Sequence, residues 1–267
     1  MKRGSIVGRG PDMLIRSSQV RGCSIVATDG PIGSTADLLF DDKTWLVRWL
    51  VVDTGDLLPG RKVLVPPSAL CYANDVSHQC AVRLTKQQIK DSPGVETDEP
   101  VSRATEKDLY NYYGWRPYWS TGYYIGAYGD NGSLVEPASR LAPEPAASES
   151  PDNASDGQLR SVHEVDGYQI HASDGTIGRV ADFLVEDGDW SIRYLIVDTS
   201  VWWVGKAVLV SPRSVLKTNW PGRTVDLDVT QQQVRDSPAY DGVETVDRVF
   251  ERQFHGYYNG LRTEESV

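Results

Sequence analysis

Few residues of this chain combine the types and spacing that chemistry needs. The strongest constellation is carboxylate with guanidinium: Asp37 with Arg48 and Asp182 with Arg193, all in strand-like segments beside an apolar run. An arginine buried in such a segment needs a carboxylate. The two sets are therefore expected to be structural charge pairs, each internal to its own domain, and an anion site is the rival reading. Asp53-Thr54 and Asp198-Thr199 close the long apolar segments, where an Asp accepts from turn amides; a functional carboxylate or cation site is the alternative. Asp41-Asp42 and Glu186-Asp187-Gly188-Asp189 offer oxygen ligands for calcium but lack the EF-hand spacing, so they read as solvated hairpin tips.

Other reactive residue types are scattered. His78, His163, His171 and His255 form neither HExxH nor HxxxH, which argues against a zinc site. Cys23, Cys71 and Cys80 are odd in number and lack a CxxC pair, so no disulfide framework, thiolate zinc site or Cys/His nucleophile is expected. Gly8-Arg-Gly10 precedes no strand-to-helix unit and is no phosphate loop. Neither a metal nor a cofactor is expected, and the chain reads as no enzyme.

Composition narrows the partners. With 27 Lys and Arg against 37 Asp and Glu, the net charge is −10, which removes the usual electrostatic drive for nucleic-acid binding. Hydrophobic residues at 40% suffice for a core. No apolar run approaches the roughly 18–20 residues of a membrane span, since residues 45–52 are short and contain Arg48. Residues 1–12 carry no apolar h-region, so a secretory signal is not expected, and Met13 is a candidate natural start. A cytoplasmic location follows as the expectation.

The elements that would hold these residues come in duplicate. Asp29-Gly-Pro-Ile-Gly33 recurs as Asp174-Gly-Thr-Ile-Gly178 at an offset of 145, and about 26 of the 65 positions from 29 to 93 are identical to their equivalents. The offset continues through Arg103/Arg248, Glu106/Glu251 and Tyr112-Tyr113/Tyr257-Tyr258. Residues 13–114 and 159–261 are therefore expected to be two repeats, each with a C-terminal helix. Residues 1–12 and 262–267 read as disordered ends, residues 115–128 as an aromatic and Gly-rich tail, and the Pro-, Ala- and acid-rich residues 129–158 as a disordered linker.

Within each repeat the signals are strand signals. Residues 23–27, 36–40, 45–52, 62–65 and 80–84 are short apolar or β-branched runs between turn residues. Pro59-Gly60 suits a type II turn, and residues 45–52, apolar on both faces, suit a central strand covered twice. Thr85-Lys-Gln-Gln88 and Thr230-Gln-Gln-Gln233 match the capping box of a short helix, which Ser92-Pro93 and Ser237-Pro238 end. Residues 105–113 and 250–258 place Leu109, Tyr112, Tyr113 and Phe254, Tyr257, Tyr258 on one face of a second helix.

The ordered pattern from Gly22 through Asp29-Gly30, Trp45-Leu-Val-Arg-Trp-Leu-Val-Val-Asp-Thr54, Val63-Leu-Val65 and Thr85-Lys-Gln-Gln88 to Asp91-Ser-Pro93 resembles a PRC-barrel domain, and the second repeat resembles it equally. The family includes the cytoplasmic domain of the photosynthetic reaction-centre H subunit and the C-terminal barrel of the ribosome maturation factor RimM. The resemblance implies an all-β fold with short helices, two small antiparallel PRC-type β-barrels each followed by short helices. It further implies docking onto a larger assembly. The membrane anchor of the H subunit is not matched, and no proton-pathway or ribosomal-contact residue can be carried over.

Residues 112–128, Tyr-Tyr-Gly-Trp-Arg-Pro-Tyr-Trp-Ser-Thr-Gly-Tyr-Tyr-Ile-Gly-Ala-Tyr, are the least ordinary stretch. Tyr, Trp and Arg dominate interface energetics, so Tyr112, Trp115, Tyr118, Trp119, Tyr123 and Tyr124 are candidate partner contacts; packing over the chain's own barrels is the competing use. The expected function is a non-enzymatic interaction module for a protein partner, acting as a monomer with pseudo-two-fold barrels, with peripheral membrane association open. The alternative is small-ligand or ion binding at a barrel mouth or between barrels.

Overall fold

Among the described residues, short runs of apolar and β-branched residues, broken by turns, become 15 strands, which with six helices follow in the order β1 (Leu14–Arg16), α1 (Ser17–Val20), β2 (Ser24–Ala27), β3 (Gly30–Asp41), β4 (Leu46–Asp53), β5 (Lys62–Val65), β6 (Leu70–Asn74), β7 (Gln79–Val82), α2 (Lys86–Lys90), α3 (Arg103–Tyr113), then β8 (Leu159–Ser161), α4 (Val162–Val165), β9 (Gln169–Ala172), β10 (Gly175–Glu186), β11 (Ile192–Asp198), β12 (Ala207–Val210), β13 (Val215–Asn219), β14 (Thr224–Leu227), α5 (Gln231–Asp236), β15 (Ala239–Tyr240) and α6 (Arg248–Glu264). The structure, a computed structural model, describes residues 13–55, 59–74, 78–93, 101–115, 117, 157–200, 207–240, 246 and 248–264. The expected segment 1–12 lies outside these, as do residues 116 and 118–128 of the expected tail 115–128, residues 129–156 of the expected linker 129–158 and residues 265–267 of the expected end 262–267. The second helix of the second repeat runs to Glu264, past the expected boundary at 261.

Two compact units form: an N-unit of Ser18–Glu164 and a C-unit of Met1–Ser17 with Val165–Val267. The N-unit sheet runs β5-β4-β3-β2-β7-β6, and the C-unit sheet runs β13-β14-β9-β10-β11-β12-β15. The protein is mostly β with short helices. Two features depart from the expected antiparallel barrels. One pair in each sheet, β2 with β7 and β9 with β14, is parallel; and the pairings among the described residues leave β5 and β6 as open ends of the N-unit path rather than closing it.

Neither unit is a single sequence repeat. β1 pairs antiparallel with β10 of the second repeat, with Leu14, Ile15 and Arg16 opposite Glu186, Val185 and Leu184. Reciprocally, β8 pairs with β3 of the first repeat, with Leu159, Arg160 and Ser161 opposite Asp41, Phe40 and Leu39. The expected domains, residues 13–114 and 159–261, thus each place their first strand in the other's sheet. Identity between the repeats conceals this, because each edge presents nearly the same acceptor.

Strand β4 is covered on both faces, as its apolar run predicts. Trp49 and Val51 join Leu64, Leu109, Tyr110 and Leu159 under α3, while Leu50 and Val52, which alternate with them, are fully buried. The C-unit repeats the arrangement with Leu184, Tyr194, Ile196, Leu209, Tyr240 and Phe254 under α6. Each such Leu or Val contributes roughly 1.5–3 kcal/mol through its burial. The β3–β4 and β10–β11 hairpins turn on Trp45 and Trp190, both left-handed at φ 57° and 61°, a costly backbone for a bulky residue. Stacking of Trp45 on Phe40, with centroids 5.2 Å apart, and burial of Trp190 offset that cost.

Candidate functional site

The residues that recur at the 145 offset hold the backbone. Asp29 Oδ1 accepts the first amide of α2, Lys86 N, at 2.8 Å, and Asp174 accepts Gln231 N at 2.7 Å. A side chain at Gly33 or Gly178 would collide with the carbonyl of Asp53 or Asp198, so glycine is what lets β3 and β10 close on the strand beside them. Asp53 and Asp198 accept the turn amides of Gly55 and Ser200, both at 2.9 Å, as expected. Both capping boxes form around Thr85 and Thr230.

The charge pairs take other partners than expected. Asp37 lies opposite Val51, whereas Arg48 falls in the bulge facing the Leu39/Phe40 step, three residues or about 10 Å further along the strand. Arg193 occupies the equivalent bulge of β11. Arg48 donates to Thr44 Oγ1 at 3.4 Å, and Arg193 pairs with Glu186 and, at 3.9 Å, Asp189. Asp37 and Asp182 serve the exchanged segments instead. Asp37 accepts from the Ser161 hydroxyl and from His163 N at 3.2 Å, and Asp182 accepts from Ser17 Oγ at 2.6 Å. Ser17 and Ser161 are one position out of phase at the offset of 145, so no repeat comparison flags them.

The acidic turns also grip these segments. Asp187 Oδ1 accepts Met13 N and Asp42 Oδ1 accepts Gln158 N, at 2.9 and 2.8 Å. Asp41, expected to be solvated, is buried and accepts Lys43 N and Thr44 N. Its burial follows from closing the hairpin with its own carboxylate.

A polar site that sequence reasoning did not assign lies between each helix and its sheet. Glu106, only 2% exposed in the first turn of α3, accepts the Trp49 indole N–H at 2.9 Å. At the equivalent place Glu251 accepts from the Tyr194 hydroxyl at 3.4 Å, and His255 Nε2 lies 3.1 Å from the same oxygen. Burial, then the Glu251 carboxylate, pushes the Tyr194 phenol upward, so it is a stable donor and not a phenolate nucleophile. The 145-residue recurrence of Glu106 and Glu251 was the available signal; what it lacked was the aromatic partner, Trp in one repeat and Tyr in the other.

Of the candidate contacts, Tyr112 and Trp115 are described; Tyr118, Trp119, Tyr123 and Tyr124 lie outside the described residues. Tyr112 is 39% exposed and donates its hydroxyl to Gln88 O at 2.8 Å, so the buried stripe of α3 is Leu109, Tyr110 and Tyr113, with Tyr112 outside it. Gly114, left-handed at φ 68°, ends α3, and Trp115 N returns to Tyr110 O at 2.9 Å, a Schellman closure. Trp115 then stacks on Tyr113, centroids 4.4 Å apart.

Cys23 and Cys80, unrelated in sequence, are buried neighbours, and burial followed by the adjacent Cys23 pushes the Cys80 thiol up to about 12. Such thiols are inert nucleophiles. Among the described residues no three His, Cys, Asp or Glu side chains gather as a metal site, and no helix is long and apolar enough to cross a membrane. Neither a protein-family model nor a curated protein matches the chain.

Proposed function

We propose that this chain is a non-enzymatic scaffold of two PRC-type barrels that docks on a larger protein assembly in the cytoplasm through the aromatic surface at the end of α3. One observation carries the reading: Tyr113 and Trp115 are anchored on the core while Tyr112 stands edge-on to Tyr113, its hydroxyl fixed and its ring part-exposed. A fixed aromatic surface loses little entropy on binding. The repeated Asp29/Asp174 and Asp53/Asp198 side chains support it from the other direction, since each has a structural duty toward a backbone amide. The barrel assignment draws on the resemblance and on two sheets with matching element order.

The test is in-cell crosslinking with mass spectrometry, comparing the full chain, Tyr112→Ala and a variant lacking residues 118–128, each first shown to retain its circular-dichroism spectrum. The deletion starts after Trp115 because that ring belongs to the core cluster. A defined protein set that crosslinks to the full chain and is lost in both variants is expected. Capture unchanged by either variant overturns the docking site.

A further inference from the structure

The exchanged strands have a consequence beyond docking. Each acceptor edge holds its segment by the same contacts. In the C-unit these are Met13 N and O with Asp187, the three-residue β1–β10 ladder, Leu14 against the apolar cluster under α6, Ser17 Oγ on Asp182, and Arg16 on the Tyr240 hydroxyl at 3.2 Å. In the N-unit they are Gln158 N and O with Asp42, the β3–β8 ladder, Leu159 under α3, and Ser161 on Asp37. The acceptor therefore recognises an extended segment that brings a leucine, then two or three residues later a serine hydroxyl. Most of its hydrogen bonds go to backbone, which any copy of the segment supplies equally.

We propose that the edge of β10 from Leu184 to Asp187 is a strand-addition site that a second copy of this chain fills with its own residues 13–17, giving a segment-exchanged dimer. Three observations favour a second copy as the occupant. The donor strand is only three residues long and all three are part-exposed, so releasing it uncovers little fully buried apolar surface. It leads directly into the four-residue α1, within which the C-unit gives way to the N-unit between Ser17 and Ser18, so redirecting the chain there disturbs one short helical turn. The donor in trans is chemically identical to the donor in cis, so the native contacts are remade in full, the condition under which exchange between protomers costs least.

The test uses the full chain. Isotopically heavy and light samples carrying Leu14→Cys and Glu186→Cys, positions that face each other across the ladder, are mixed, unfolded with reductant, refolded at rising concentration and oxidised. Heavy–light peptides joining positions 14 and 186, growing with concentration, are expected. Joined peptides that stay heavy–heavy or light–light at every concentration overturn the proposal. Should the double variant refold poorly, the unmodified chain is treated the same way and weighed by native mass spectrometry. A species of twice 29.6 kDa containing one heavy and one light chain is expected, and Ile15→Pro, which removes a ladder amide, abolishes it. A dimer that persists in Ile15→Pro, or no dimer at all, overturns the proposal.

Discussion

In the N-unit the carboxylate that fastens helix to sheet meets an indole; in the C-unit its equivalent meets a phenol that an imidazole also reaches. Glu106 is sealed beneath α3 with Trp49, whereas Glu251 and the exposed His255 reach the Tyr194 hydroxyl from the rim of α6. The backbone frame is common to both, so the difference is one of solvent access. A sealed carboxylate depends on its protein donor, while a half-buried one is shared with water. A hydrogen-bonded pair of the same ancestry thus contributes very differently in two copies of one fold.

Removing the donors breaks this comparison most sharply. Trp49→Phe removes the indole donor from the buried Glu106 carboxylate and is expected to cost about 2–3 kcal/mol. Tyr194→Phe removes one hydroxyl beside groups that water can reach and is expected to cost about 1 kcal/mol. Hydrogen exchange over β4 with α3 and over β11 with α6 reads the two losses separately. Equal losses would mean that Glu106 is as well solvated as Glu251.

Much of the fold was legible because its signals are local. The strands at 24–27, 46–53 and 62–65, both capping boxes and the Asp53 and Asp198 turns follow from residues a few positions apart. The charge pairs were misread because a bulge moves Arg48 and Arg193 along the strand, and bulges leave no periodic trace. Strand exchange was illegible for a deeper reason. When two edges are homologous, the sequence of a strand does not say which edge it joins. The Glu106 and Glu251 sites needed the register of a helix on a sheet, a non-local relation that repeat identity marks but does not explain.

Alkaline pH tests a feature the two units share. Burial pushes the Tyr113 and Tyr258 phenols from 10.0 up to about 12 in each unit. The unfolded chain releases these protons first, so above pH 10 it binds fewer protons than the folded chain and stability falls as pH rises. The contribution is complete below pH 10 and is lost progressively toward pH 12, about 2–3 kcal/mol for each ring. Cys80 adds the same sense of change in the N-unit alone, between 9.0 and about 12. Urea midpoints at pH 9 and pH 12 should differ most for the wild type and less for Tyr113→Phe and Tyr258→Phe. An unchanged pH slope in both variants would show that these hydroxyls are hydrated.

The smallest effect concerns the part where the units agree. Thr85 Oγ1 and Thr230 Oγ1 each accept the amide of the third helical residue, at 3.2 Å in both, and the Gln side chains answer at 2.9 and 2.7 Å. Thr85→Ala and Thr230→Ala should therefore each cost about 1 kcal/mol, and by nearly the same amount. The same helices receive Tyr112 and Tyr257 hydroxyls on Gln88 O and Gln233 O, both at 2.8 Å, so fraying of the cap should release α3 and α6 alike. Amide exchange at Gln88 and Gln233 measures each release. A loss in one unit alone would place the divergence of the repeats already in the cap, upstream of the Trp49 and Tyr194 exchange of donors.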